Sequence, residues 1–190
     1  MTRRTSSYAA AIGVVLAASV FYTLGAAWAE TTVNVGGAPM YPSKNIIQNA
    51  VNSKDHTTLV AAVKAAGLVD TLMTPGPFTV FAPVNKAFGK LPKGTVETLL
   101  KPENKATLTA VLTYHVVPGK HSAAELMSEV KAGGGKATLK TVQGGTLTVT
   151  QVGRKLDITD AKGDKATVTI PDVNQSNGVI HVIDTVLLPQ

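Results

Sequence analysis

Two apolar segments decide the fold of this chain: Phe78-Thr-Val-Phe-Ala-Pro-Val-Asn-Lys-Ala-Phe88 and, about a hundred residues later, Asn177-Gly-Val-Ile-His-Val-Ile-Asp-Thr-Val-Leu-Leu-Pro189. The first begins as a compact strand, turns at Ala82-Pro83 and enters a helix that Asn85 is predicted to cap. The second is apolar along most of its length, which is typical of a strand inside a sheet. The two segments therefore predict two buried strands of one sheet.

The rest of the chain divides into a helical half followed by a strand-rich half. Apolar side chains recur at helical spacing over 59–66, where Gly67 supplies a stop, and again over 108–115. Polar and apolar residues then alternate in four segments: 138–142, 146–152, 156–159 and 166–170. Helices first and strands last predict an α+β fold, in which an antiparallel β-sheet wedge packs with several short α-helices.

The first residues have the features of a secretory signal peptide. Arg3 and Arg4 precede a continuous run of apolar and small residues over 9–27, and Ala27-Trp28-Ala29 provides the small-residue pattern of a cleavage site. Residues 1–29 are therefore predicted to be a signal peptide that is removed on export. An uncleaved anchor is the alternative, because the apolar run is long enough to cross a bilayer.

Composition limits what residues 30–190 can do. They carry 16 Lys and Arg against 12 Asp and Glu, a formal net charge of +4, and Arg154 is the one arginine among them. Nucleic-acid binding favours clustered arginines and exposed aromatic rings, so we exclude nucleic acid as a partner. The chain has no cysteine, which excludes disulfides and the thiol that a bacterial lipoprotein carries at its cleavage site.

A third element, Leu112-Thr-Tyr-His-Val-Val-Pro-Gly119, stands between the two strand segments. Together the three resemble the two signature boxes and the Tyr-His element of fasciclin (FAS1) domains. The resemblance implies a FAS1 domain over 43–190, whose first helix Ser43 is predicted to cap. Residues 30–42 hold two Gly and two Pro and are predicted to form an extended N-terminal segment. Because FAS1 domains are mostly adhesion and binding modules, the resemblance also implies a non-enzymatic role.

Tyr114 and His115 are candidate binding residues by this resemblance, since the Tyr-His element of FAS1 domains has been linked to cell adhesion. His115 also falls on the apolar face of its predicted helix, four residues after Val111. The alternative is therefore a core imidazole that hydrogen-bonds to the backbone and orients the helix end against the sheet.

Asp172 and Val173 form the second pair of candidate binding residues. They lie in the segment 170–174, Ile-Pro-Asp-Val-Asn, at the position where some animal FAS1 domains carry a Glu-Pro-Asp-Ile-Met integrin-recognition motif. The first and last residues of that motif are replaced here, and the loss of its acid argues against integrin recognition. The alternative is structural, with Pro171 ending a strand and Asp172 capping the turn that follows.

The sequence predicts no metal site, no cofactor and no catalytic residues. No ligand pair at i, i+4 spacing occurs among the histidines, which are His56, His115, His121 and His181. The hairpin region offers too few oxygen ligands for a calcium loop, since its acidic residues are Asp157, Asp160 and Asp164. The chain lacks a cysteine nucleophile, a Gly-x-Ser-x-Gly elbow and a phosphate loop.

These observations favour an exported binding module, periplasmic or extracellular, that acts in cell adhesion or in association with a surface or extracellular matrix. Its partner is expected to be a protein, a polysaccharide or a lipid surface, and the module is expected to be monomeric, with no stable membrane insertion after signal cleavage. The alternative is a periplasmic carrier of a small hydrophobic ligand such as a lipid. A carrier should enclose an apolar cavity, whereas an adhesin should have a filled core and a flat exposed patch.

Overall fold

The computed structural model describes residues 30–190, so the predicted signal peptide lies outside the described residues. The fold is α+β, as predicted. Its helices are α1 (Ile46–Ala50), α2 (Thr57–Ala66), α3 (Val69–Met73), α4 (Asn85–Phe88), α5 (Thr95–Leu99), α6 (Lys105–Tyr114) and α7 (Ala123–Ala132), with 3-10 turns at Lys54–His56 and Pro102–Asn104. Its strands are β1 (Val33–Val35), β2 (Ala38–Met40), β3 (Phe78–Pro83), β4 (Val116–Pro118), β5 (Lys136–Lys140), β6 (Thr146–Val152), β7 (Lys155–Thr159), β8 (Lys165–Gln175) and β9 (Gly178–Ile183). Within this described part, no helix has the length and apolar character needed to cross a bilayer.

Seven of the strands form one mixed sheet in the order β4-β3-β9-β8-β7-β6-β5. Neighbouring strands are antiparallel except β3 and β9, which run parallel from Phe78 opposite Gly178 to Pro83 opposite Ile183. The antiparallel sheet expected from the sequence is therefore wrong for this central pair. Both strands are buried almost throughout, and near-continuous apolar runs of this kind are typical of parallel strands, which are covered on both faces.

The β3–β9 pair separates two apolar cores. Val80 and Val182 belong to a core shared with α1, α2 and α6, which we call the helical core. Phe81 and Ile183 belong to a core shared with α7 and with the meander of strands β5 to β8, which we call the meander core. Apart from one methionine and two aromatic side chains, the buried members of both cores are Val, Leu, Ile and Ala, as the composition predicts.

Residues 30–42 are more ordered than the extended segment expected from the sequence. Strands β1 and β2 pair across a Gly36-Gly37 turn, in which both glycines have positive φ, 59° and 78°. A side chain at Gly36 would also collide with the Ser53 hydroxyl and the backbone beside it. Val35 and Met40 are each 3% exposed and pack into the helical core. The hairpin therefore covers one end of that core.

Helix ends follow local side-chain chemistry, with two differences from the sequence-based expectation. Helix α1 is capped by Asn45 and not by Ser43, because the Asn45 side chain accepts the Gln48 N–H at 2.9 Å and the Gln48 side chain accepts the Asn45 N–H at 3.0 Å. Asn85 is the first residue of α4 and not its cap, and its side chain instead joins α4 to the first turn of α2. Gly67 ends α2 in the left-handed conformation, as predicted.

Strand β8 continues through Pro171, where the sequence predicts a strand end. Register shifts on both sides of Ile170 form a bulge in the pairing with β9. A bulge leaves backbone groups out of the ladder, so Pro171, which has no N–H, sits there without ending the strand. Asp172 lies in this bulge and not in a turn, and it is the one non-glycine residue among 30–190 with a positive φ, 56°. The turn to β9 follows four residues later, at Ser176 and Asn177.

Candidate functional site

His115 lies at the C-terminal end of α6 and is 3% exposed. Its Nδ1 donates to the carbonyl of Val111 at 2.7 Å, and its Nε2 accepts the N–H of Leu187 at 3.0 Å. A backbone N–H can only donate, so this second bond assigns the neutral tautomer with the proton on Nδ1. Burial lowers the pKa of His115 to about 4. The imidazole thus fastens the end of α6 to the C-terminal segment, which is the structural alternative raised by the sequence.

Tyr114 is fully buried in the meander core. Its hydroxyl donates to the carbonyl of Thr146 at 2.7 Å and accepts the N–H of Ala161 at 3.0 Å. The ring also fills the space beside Gly145, where a Cβ would lie 2.8 Å from Cε2 of Tyr114. Because its ring is covered and its hydroxyl is satisfied within the chain, Tyr114 offers no contact area to a partner in this conformation.

Asp172 is the one candidate of the four that reaches the surface. Its Oδ1 accepts the N–H of Ala123, the first residue of α7, at 2.7 Å, and its own N–H donates to Nδ1 of His181 at 3.3 Å. No hydrogen bond within residues 30–190 uses its Oδ2. The carboxylate is therefore held in place by one oxygen while the other remains for a partner.

Val173 is 1% exposed, pairs with Ile180 and belongs to the helical core. Strands β9 and β3 lie between β8, which carries Asp172 and Val173, and β4, which begins after His115. The structure therefore does not bring the two candidate pairs together. They form an internal site at Tyr114 and His115 and a surface site at Asp172.

His181 supports the surface site from below, a role that the sequence analysis missed. Its side chain is fully buried and stacks on Phe81 with ring centroids 5.7 Å apart. Since Nδ1 accepts the Asp172 N–H, the proton is on Nε2, which donates to the carbonyl of His121 at 2.8 Å. Burial lowers the pKa of His181, which keeps this neutral form. Pairing residues outward from the turn between β8 and β9 places residue 172 opposite residue 181. This pairing could have indicated from the sequence that His181 lies beside Asp172.

The side chains at and around Asp172 form what we call the bulge surface, which consists of Pro171, Asp172, Asn174, His121 and Ser122. Pro171 and Asn174 are exposed, and the other three are partly buried. The Asn174 amide donates to the Asp172 carbonyl at 3.2 Å, and His121 Nδ1 lies 3.6 Å from a carboxylate oxygen of Glu129. The bulge surface therefore presents a carboxylate, an amide and an imidazole in restrained positions.

Ser122 of the bulge surface takes part in a helix cap. Ser122 caps α7 in a reciprocal pair with Glu125, and its hydroxyl donates to that carboxylate at 2.8 Å. These bonds from Ser122 lower the pKa of Glu125. The hydroxyl is thus committed to a helix cap. Across residues 30–190, no three His, Asp or Glu side chains gather as candidate metal ligands.

Known proteins share both the sequence and the fold of this chain. A family model described as the Fasciclin domain matches residues 54–189. Protein sll1483 of Synechocystis sp. (strain ATCC 27184 / PCC 6803 / Kazusa) is 48% identical over 161 residues, which are 84% of this chain and 82% of that protein. Cell surface glycolipoprotein MPB83 of Mycobacterium bovis is 36% identical over 145 residues, which are 74% of this chain and 58% of that protein. Among solved structures, a FAS1 domain pair from the insect cell adhesion molecule fasciclin I matches with a TM-score of 0.70 at 20% identity, over 84% of this chain and 58% of that one.

Proposed function

This chain belongs to the fasciclin domain family, and we propose that it is an exported, non-enzymatic binding module that acts in cell adhesion or in association with a surface or extracellular matrix. The observation that carries this proposal is the position of Asp172, which is partly exposed, fixed by two hydrogen bonds and left with one free carboxylate oxygen. A relative that is named as a cell surface protein supports a role at a surface.

The backbone at Asp172 supports a binding role for the bulge surface. A positive φ on a non-glycine residue stores strain, and such strain is concentrated at sites where it serves a contact. His181 and the N-terminus of α7 hold the residue from two sides, so little conformational freedom is lost when a partner docks. The bulge surface is in this sense preorganised for contact.

The chemistry of Asp172 favours some partner classes over others. A carboxylate attracts hydrogen-bond donors and cations, which protein and polysaccharide surfaces supply. An anionic lipid surface would repel it. The net charge of residues 30–190 is +4, which attracts an anionic lipid surface to the molecule as a whole. Because of the Asp172 carboxylate, such a surface would have to dock on a face other than the bulge surface. We therefore place a protein or a polysaccharide ahead of a lipid surface as the partner, bound by a monomeric module in the periplasm or outside the cell.

Carriage of a lipid is not supported by the space inside the molecule. The larger cavity of the helical core has a volume of about 70 Å³. A cavity of roughly 150 Å³ is needed to hold benzene, which is far smaller than a lipid tail. A lipid would therefore have to separate helices that are packed together in this structure.

The test is binding of the purified protein to an extract of the envelope and matrix of the producing cells, coated on a surface. We expect saturable binding to the untreated coat. Protease treatment of the coat should abolish it if the partner is a protein, and periodate oxidation should abolish it if the partner is a polysaccharide. Vesicles of phosphatidylglycerol, offered separately, should retain little protein.

Asp172→Asn is the variant that connects this binding to the bulge surface. Asparagine keeps an oxygen for the Ala123 N–H and tolerates a positive φ, but it removes the charge. We expect binding to weaken by about tenfold, because a charge-assisted hydrogen bond becomes a neutral one. Asp164→Asn is the matched control, since Asp164 is an exposed residue of the turn that precedes β8, at the other end of that strand from Asp172. Equal weakening in both variants, or in neither, would exclude the bulge surface as the contact.

A further inference from the structure

The meander of strands β5 to β8 has one covered side and one open side. Leu147 and Val149 of β6 are buried in the meander core together with Leu126 and Val130 of α7. Because side chains alternate along a strand, the residues between the buried ones point away from α7. We call this open side the meander face. Its central residues, which are exposed or partly exposed, are Lys136, Thr138, Lys140, Thr148, Thr159 and Lys165.

Three threonines form a row across the meander face. Thr138 of β5 lies opposite Thr148 of β6, which lies opposite Thr159 of β7. Neighbouring strands are about 4.8 Å apart, so the three hydroxyl groups follow one another at roughly that spacing. The threonines of the adjacent row, Thr150 and Thr167, donate to Asp157, but no hydrogen bond within residues 30–190 uses the hydroxyls of the first row. These three hydroxyls are therefore free to donate to and accept from a partner.

Lysines surround this threonine row. Lys165 of β8 lies opposite Thr159 and extends the row by one strand. Lys136 and Lys140 lie on β5 on either side of Thr138, each roughly 7 Å from it along the strand. Within residues 30–190, none of the three ammonium groups takes part in an ion pair. The meander face therefore combines free hydroxyls with positive charges that have no partner in the described part of the chain.

Positive charge is concentrated in this region. Residues 136–169 hold six Lys and Arg against three Asp, so they account for 6 − 3 = +3 of the net charge of +4 carried by residues 30–190. Asp160 is buried and accepts three backbone N–H groups, and Asp157 accepts the Thr167 hydroxyl. Asp164 lies in the turn before β8. The lysines of the meander face therefore outnumber the acids beside them, and the face attracts anions.

The meander face lacks the side chains with which proteins enter membranes or bury protein partners. Residues 136–169 contain no aromatic side chain. Their large exposed apolar residues are Val142 and Val152, which lie in the turn after β5 and at the end of β6. Membrane interfaces and the centres of protein interfaces are enriched in aromatic residues. A polymer that carries both hydroxyl groups and carboxylates fits the threonines and lysines better than either of these partners.

We propose that the meander face binds a carboxylated polysaccharide, whose carboxylates pair with Lys136, Lys140 and Lys165 and whose ring hydroxyls bond to the threonine row. A single exposed ion pair contributes little, so binding depends on several contacts along one polymer chain. Asp172 bonds to α7, which packs on the other side of the meander. The proposal therefore gives the binding module a second surface, and it does not depend on the contact proposed for the bulge surface.

The experiment is affinity electrophoresis of the purified protein, expressed from the full-length sequence, with two soluble polymers. Carboxymethyl cellulose and hydroxyethyl cellulose share a glucan backbone, and only the first carries carboxylates. We expect saturable retardation by carboxymethyl cellulose, with a Kd that rises with salt because ions screen exposed charges. Hydroxyethyl cellulose should retard the protein little. Equal binding to both polymers would overturn the proposal. So would equal binding to polyglutamate, which has no hydroxyl groups, or to vesicles of phosphatidylglycerol.

Two triple variants separate the position of the charge from its amount. In the first, the three lysines of the meander face become glutamine, and binding to carboxymethyl cellulose should weaken by about tenfold. The matched control removes the same charge from exposed lysines of the helical half and should leave the affinity nearly unchanged. The substitutions are Lys136→Gln, Lys140→Gln and Lys165→Gln in the first variant, and Lys86→Gln, Lys93→Gln and Lys101→Gln in the control. Equal weakening in both would assign the binding to net charge and contradict the proposed surface.

Thr148→Val tests the threonine row. Valine keeps the shape and the strand preference of threonine but removes the hydroxyl, so binding to carboxymethyl cellulose should weaken by about threefold. Thr148→Ser keeps a hydroxyl and should bind like the unchanged protein. Asp172→Asn should not weaken this binding, which distinguishes the meander face from the bulge surface. An unchanged affinity in Thr148→Val, or a loss of affinity in Asp172→Asn, would contradict the assignment.

Discussion

The C-terminal end of α6 at Tyr114-His115 and the bulge at Asp172 are both polar positions beside the central strands. Their hydrogen bonds differ in how much of each side chain they leave available to a partner. Every polar side-chain atom of Tyr114 and His115 bonds to backbone within the chain, and both residues are buried. Asp172 uses one carboxylate oxygen internally and leaves the other at the surface. The resemblance to FAS1 domains makes all of them candidate contacts, but burial separates a position that holds the fold from one that can meet a partner.

This difference changes how a loss of adhesion should be interpreted. A substitution in the internal site removes bonds that join α6 to the C-terminal segment and to the meander, so it acts on binding by unfolding the surface around it. A substitution in the surface site removes a contact while the fold persists. Stability and binding must therefore be measured on the same variants.

His115→Ala is expected to have the largest effect, a loss of about 4 kcal/mol in the free energy of unfolding. The change leaves the Val111 carbonyl and the Leu187 N–H without partners and opens a void. Urea denaturation measures it. His121→Ala is the control, since that side chain is partly exposed and should cost less than about 1 kcal/mol. A loss of unfolding free energy in His115→Ala as small as the one expected for His121→Ala would mean that the internal site does not hold the fold.

Acid is expected to destabilise the protein by about 3 kcal/mol through His115 alone. The pKa is 6.5 for the ordinary group and about 4 in the folded protein, so the unfolded chain binds the proton more tightly between these values. The full stability is thus present above about pH 6.5 and declines as the pH falls toward about 4. Burial lowers the pKa of His56 and His181 too, which adds to the decline.

Urea denaturation at a series of pH values between these limits measures this dependence. His115→Ala should show a shallower decline than the unchanged protein, because one of the three buried histidines is gone. A decline of the same steepness in both proteins would remove His115 as its main source.

Tyr114→Phe should cost about 1 to 2 kcal/mol in the free energy of unfolding. The ring still fills the meander core, but the Thr146 carbonyl and the Ala161 N–H lose the hydroxyl between them. Thermal and urea denaturation both report the loss. Binding to the coated extract should be unchanged under conditions where the variant is folded, and weaker binding there would show that Tyr114 is a contact after all.

Asp172→Asn should change the free energy of unfolding by less than about 0.5 kcal/mol, since the amide keeps the oxygen that bonds Ala123. It is therefore the variant in which binding and stability separate most clearly. Asp172→Ala, by comparison, loses that bond and places an alanine at positive φ, and should cost about 2 kcal/mol. A large loss of stability in Asp172→Asn would make the bulge surface a structural element like the internal site.

The sequence was sufficient for the positions of the main elements and for the α+β class. Gly67 ends a helix by local chemistry, which a sequence shows directly. The Ser122–Glu125 pair begins α7 in a similarly local way, but the sequence analysis did not use it. The parallel direction of β3 and β9 was missed. The continuous apolar runs of the two segments favour parallel strands, but a run of this kind also fits a buried antiparallel strand. Pro171 led to a wrong prediction of the end of β8. A proline has no N–H and ends a regular strand, but it is tolerated in a bulge.

Buried polar side chains were the least predictable part of the molecule. The Asn177 side chain accepts the N–H of Ile46 at 3.0 Å and donates to the carbonyls of Leu72 and Thr74 at 2.8 and 2.9 Å. Asn49 likewise donates to the side chain of Gln175. These partners are about a hundred or more residues apart, so no local pattern connects them. The same holds for His56, which lines a small cavity together with residues from seven different strands and helices.

The central β3–β9 pair also dictates an order of events during synthesis. Its partners are 100 residues apart, from Phe78 opposite Gly178 onward, so the entropy of closing that long loop must be met before either core can form. A nascent chain that lacks its last strand has neither core complete. The chain is thus expected to stay unfolded until β9 has been synthesised, so the export proposed above would act on an unfolded polypeptide.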